Sequence, residues 1–186
     1  MTISEIKKLR IRQLLLLNAT LLFFLTASYI LQILIDITYS QMFILLGMAT
    51  LIQSIVGWVK RNSAKSILPV IEQIAIYEKE KMGNEWSKQR TVGSIWTLLV
   101  SSILFFNAYF HSDSGEFLNI EPMFLFFLTI GILVMINISM VIHTRKVDGA
   151  QSPADFTWYT RSSNVRAIIF GAYYAILICV FILSLV

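Results

Sequence analysis

The sequence predicts an all-α polytopic membrane protein with five transmembrane helices, N-in and C-out, plus a cytoplasmic amphipathic helix. Three observations predict it. Of 186 residues, 56% are hydrophobic and 14% charged, with a mean hydropathy of +0.71, a balance too apolar for an ordinary water-soluble domain. The apolar residues gather into five runs, each long enough to cross a hydrocarbon core of about 30 Å as a helix. All 15 Lys and Arg residues fall in segments that share one side of the membrane once those runs alternate across it. Residues 1–186 therefore read as a single integral membrane helical domain.

The first run, residues 14–37, follows the basic stretch KKLRIR. Its apolar length exceeds the ~7–15 residues of a signal-peptide core and no A-x-A-like cleavage site follows, so it is expected to remain as the first anchor. The second run, residues 39–59, follows after a link too short for a separate domain, which predicts a helical hairpin with the first. Residues 62–83 predict an amphipathic interfacial helix. Ile67, Val70, Ile71, Ile74 and Tyr77 recur at helical spacing, while Glu72, Glu78, Lys79, Glu80 and Lys81 supply a polar side. Pro69 suits a first turn and Gly83 a stop. Such a helix lies at the cytoplasmic membrane surface or continues the second membrane helix into water, attached to its own bundle or presented to a partner.

Residues 92–110 form the third run, entered through Trp86, Lys88 and Arg90. An indole beside basic groups favours the headgroup region. Residues 122–142 form the fourth run, and residues 165–186 the fifth. Between these last two, Asp148-Gly149 and Ser152-Pro153 predict turns, and FTWYTRSSNVR repeats the aromatic-basic approach to the membrane.

The basic residues precede the first run, separate the second from the third, and lie between or at the edges of the fourth and fifth; the two opposite links contain none. Positive residues are retained on the cytoplasmic side, which sets the expected orientation. The formal charge of +4 then reflects topology and attraction to anionic lipid, not nucleic acid. Expected partners are membrane lipids, with other membrane subunits or further copies of the chain.

No catalytic, cofactor or metal motif emerges. There is no G-K-S/T phosphate loop and no H-E-x-x-H or calcium-loop spacing, and a lone Cys179 precludes an intrachain disulfide. Three residue sets remain as candidates. Ala167, Gly171, Ala175 and Cys179 recur every four residues, a stripe whose short side chains permit close helix packing. Asn18, Gln32, Gln53 and Asn107 could line a polar passage through the bilayer. His111, Asp113, Glu116 and Glu121 gather in the outer loop HSDSGEFLNIE, where ion or proton handling competes with simple solvation. His143, next to Arg145 and Lys146, reads as a boundary histidine. The leading function is a small accessory subunit organising a larger membrane assembly, with transport or export as the expected setting. A self-assembling channel or transporter is the alternative, and a membrane enzyme ranks third.

Overall fold

Two threonine capping boxes start the first two long helices. In α1 (Ile3–Leu34) the Thr2 hydroxyl accepts from the Glu5 N–H, and the Glu5 carboxylate accepts from the Thr2 N–H. Thr38 and Gln41 repeat the device at the head of α2 (Tyr39–Val59). Each satisfies backbone donors that a helix start leaves without partners. These are seen in a computed structural model, which describes residues 2–113, 115, 117 and 121–185, with the side chains of 3, 32, 33, 174 and 177–185 excepted.

Pro69 opens α3 (Pro69–Met82), and Gly83 closes it at φ +56°. The amphipathic helix is thus shorter than the 62–83 expected, because proline suits a first helical turn and not an interior one. Gly83 turns the chain directly into α4 (Asn84–Phe110), which begins two turns before the apolar run does. Its φ and ψ, +56° and −127°, belong to glycine's range. α5 (Pro122–Gly149) runs past the expected Asp148-Gly149 turn. The Lys81 ammonium caps its end, donating to the carbonyls of Ala150 at 2.8 Å and Asp148 at 3.2 Å. A 3-10 turn (Pro153–Phe156) then leads to α6 (Tyr159–Leu185).

The chain is an all-α polytopic membrane protein. Four described helices, α1, α2, α4 and α5, have the length and apolarity to cross a bilayer. α6 also spans 27 residues, and the side chains of its distal third lie outside the described set.

The expected hairpin between the first two helices is not the pairing observed: α2 packs along α4, and α1 against α5 and α3. Small residues explain the choice. Ser40, Gly47 and Ser54 on α2 recur every seven residues, as do Ser94, Ser101 and Ala108 on α4. Three hydrogen bonds pair them in antiparallel register: Ser40 to the Ala108 carbonyl at 2.9 Å, Ser101 to the Gly47 carbonyl at 2.9 Å, and Ser54 to the Ser94 carbonyl at 2.8 Å. Hydroxyls reaching the facing backbone require close helix approach, which side chains of this size allow. The seven-residue repeat keeps the seam on one face under a left-handed supercoil. α1 carries no such stripe. It meets α5 through a reciprocal amide pair, Asn18 and Asn137, with bonds of 3.0 and 2.9 Å.

At one end, the starts of α1, α4 and α6 meet α3 and the end of α5. This basic end holds the apolar core: Val147 and Phe156 are fully buried, with Met82, Trp86, Ala150 and Tyr159 around them. At the opposite end the two links touch through an isolated antiparallel bridge between Thr38 and Phe117. Along the spans most large apolar side chains are exposed, as lipid-facing surfaces require.

Candidate functional site

The buried charges of the basic end form one cluster. Arg10 sits in the second turn of α1 beside buried Leu9, on the side facing α3 and α5. Its guanidinium donates to Glu78 at 2.6 Å, Asp148 at 3.0 Å and Gln13 at 3.1 Å. The Arg10 and Glu78 side chains are only 9% and 13% exposed. Arg10 Nε has no hydrogen-bond partner among the described residues. The same Glu78 oxygen lies 3.1 Å from His143 Nε2, and His143 Nδ1 lies 2.8 Å from the Tyr159 hydroxyl. An ionised carboxylate only accepts. His143 Nε2 therefore carries a proton toward Glu78, and in the neutral ring the Tyr159 hydroxyl donates to Nδ1.

Glu78 is held below the ordinary glutamate value of 4.5 by opposing causes. Burial pushes it up, but the hydrogen bond and charge of His143 and those of Arg10 together pull it down further. A carboxyl lowered on folding stabilises the fold above its unfolded value, and that stability is lost as pH falls through the folded value. The groups facing it are Arg10 from α1, His143 from α5, Tyr159 from α6 and, at longer range, Arg90 from α4. Glu78→Gln is expected to melt below wild type at neutral pH, with the gap narrowing as pH falls below 4.5. Thermal unfolding of both proteins across pH checks this, and a gap constant into acid would contradict it.

Beside the cluster lies a cavity of about 640 Å³, lined by all the long helices except α2. Its polar wall includes Glu78, Gln89, Arg90, His143, Tyr159 and Arg166; its apolar wall includes Met135, Ile136, Met140 and Phe170. The Arg90 guanidinium stacks on Trp86 at 4.6 Å and donates to the Ser63 carbonyl at 2.8 Å. Arg166 lies over Tyr159 at 5.9 Å and donates from Nε to its own helix at Ser162. Neither arginine forms an ion pair among the described residues.

The residues singled out from sequence are placed separately. Asn18 is engaged with Asn137, whereas Asn107 donates to the Ile103 carbonyl of its own helix. Gln53 is exposed on α2, and the Gln32 side chain lies outside the described residues. In the link before α5 the His111 ring lies against Tyr39 and Phe43, with centroids at 6.0 and 5.6 Å, and Nδ1 is 2.9 Å from the Asn107 carbonyl. Asp113 accepts from Ser112 and Glu121 stands exposed before α5, while Glu116 lies outside the described residues. No group of three His, Cys, Asp or Glu side chains able to hold a metal ion occurs among the described residues. Ala167, Gly171 and Ala175 are exposed along α6, and a Cβ built on Gly171 meets nothing within 4 Å. The side chain of Cys179 lies outside the described residues.

Sequence reasoning missed the cluster itself. Glu78 stands four residues after Ile74 and seven after Ile71, so helical spacing already put it on the apolar face of α3. A carboxylate on such a face implies a buried cation. His143 has cationic neighbours in sequence, yet the group facing it in space is Glu78. Searches against protein-family models, curated protein sequences and solved structures returned no match.

Proposed function

We propose that the chain is a small integral membrane subunit that organises a larger membrane assembly, with α6 as its docking face. One contrast carries this reading. The small residues of α2 and α4 are covered by each other, whereas Gly171 and Ala175, with Ala167 at the cavity margin, form a comparable stripe that stands exposed among the described residues. In a bilayer, apolar surface alone gives helices little reason to prefer each other over lipid. Association there rests on close backbone approach at small residues. The occupant that suits such a stripe is a helix of another membrane subunit.

The basic end supports the reading by fixing where α6 starts. Glu85 on α4 accepts from the Thr160 hydroxyl at 2.7 Å and from its N–H at 3.3 Å, and Trp96 donates to Asn164 at 3.1 Å. These bonds hold the first turns of α6 to α4 and leave the stripe facing outward.

Gly171→Leu is the test. After mild extraction, native mass should show wild type in a complex heavier than the single chain. Leu at 171 should weaken that complex about tenfold or more, since overfilling a close contact costs about 1–3 kcal/mol. The melting of the isolated chain should not change. A wild-type chain that extracts alone, or a variant complex of undiminished stability, would overturn the proposal.

A further inference from the structure

The cavity beside the charge cluster changes character with depth. His143 and Tyr159 stand at the basic end, α5 descends from His143 to Met135, and α6 descends from Tyr159 past Arg166 to Phe170. At 1.5 Å per residue, those paths run about 12 and about 16 Å into the spans. Its walls at the basic end combine polar and cationic groups with Ile71, Ile74 and Ala75 of α3, and at depth they are Met135, Ile136 and Phe170. α3 and α4 contribute only near the basic end, which leaves the deep part between α5 and α6.

We infer that this cavity is a binding site for a phosphate-bearing amphiphile of net negative charge, its headgroup held by Arg90 and Arg166 and its chain lying along Met135, Met140 and Phe170. Three observations converge. Arg90 and Arg166 line the cavity without carboxylate partners among the described residues, while Glu78, the acidic group of the wall, is already engaged by Arg10 and His143. Trp86 and Tyr159 pack against the two guanidinium groups and hold them in place. Guanidinium matches phosphate oxygens with paired donors, and a preplaced side chain loses less freedom on binding. The third observation is volume: about 640 Å³ falls within the ~300–1,000 Å³ range of small-molecule sites. Inorganic phosphate would fill only the polar part and leave the deep apolar walls unmatched.

The site is tested on the full chain, stripped of lipid in neutral detergent and titrated with phosphatidylglycerol, with phosphatidylcholine of the same acyl chains, and with inorganic phosphate. Native mass reads occupancy and thermal unfolding reads stabilisation. Phosphatidylglycerol is expected to bind at one molecule per chain, about tenfold or more tighter than phosphatidylcholine. Arg166→Gln removes one guanidinium, and Met135→Trp, on α5, fills the apolar part of the cavity. Each should weaken phosphatidylglycerol binding about tenfold. Arg161→Gln, an exposed α6 position outside this cavity, should leave it unchanged. Circular dichroism and elution position establish that the variants are folded. Equal binding of the two lipids, undiminished binding by both cavity variants, or an equal loss with Arg161→Gln would overturn the site. Full stabilisation by inorganic phosphate alone would overturn the amphiphile as its ligand. None of these readouts depends on what covers α6.

Discussion

Arg10→Met is expected to lower stability by about 3–5 kcal/mol, the cost of breaking a buried ion pair by removing one partner. The size follows from what remains. Methionine keeps much of the packing volume, but Glu78 stays buried on α3 with His143 Nε2 as its remaining hydrogen-bond partner, and Asp148 loses its guanidinium at 3.0 Å. Arg10 is also the side chain through which α1 reaches both α3 and α5 by ion pairs. The loss should therefore appear as loosening of α1 from the basic end. Reversible unfolding in mixed micelles would read the energy, and proteolysis near the N-terminus would read the loosening. The double variant Arg10→Met/Glu78→Leu should recover part of the loss, because it removes the stranded carboxylate together with its partner. An Arg10→Met loss within about 1 kcal/mol, the range of an exposed pair, would show that the cluster does not hold the helices together.

Gly47→Leu should have the second largest effect, centred in the bilayer. Even a Cβ at Gly47 would stand 3.1 Å from the Phe105 ring, and the Gly47 carbonyl accepts the Ser101 hydroxyl at 2.9 Å. A leucine there forces α2 and α4 apart, displacing Phe105 and stretching the hydrogen bond. Overpacking costs about 1–3 kcal/mol, and a buried hydroxyl left unmatched adds about 1–3 kcal/mol more. Met48→Leu, on the neighbouring exposed face, should be neutral within about 0.5 kcal/mol. The same unfolding measurement applied to both variants separates seam packing from added bulk. Equal stability of the two would mean that α2 and α4 are not held by their small residues.

The all-α class and four bilayer-length apolar helices were legible because lipid imposes a simple length and composition rule on each helix. Which helices pair was not. The first link is short enough to suggest a hairpin, yet pairing followed Ser40, Gly47 and Ser54, whose seven-residue spacing has meaning only when matched against Ser94, Ser101 and Ala108. Long-range matching of this kind is a relation between segments, and a single-helix pattern does not display it. The charge cluster was not legible. Glu78 reads as part of the polar side of its helix although its spacing from Ile71 and Ile74 puts it on the apolar face, Arg10 lies in a basic stretch that topology alone explains, and Asp148 resembles a turn residue. Their partnership joins residues 68 and 138 positions apart. The α6 stripe was legible from its four-residue spacing, and its exposure within the chain was visible only once the other helices were placed.

The most direct test of the organising role is photo-crosslinking in native membranes from a small diazirine side chain on α6. Position 171 lies on the stripe, and Ile169, 60% exposed, lies about 200° around the helix from it. The account predicts a protein adduct of discrete mass from position 171 and only lipid adducts from position 169. Lipid adducts alone from both positions, or the same protein adduct from both, would contradict a docking face on α6.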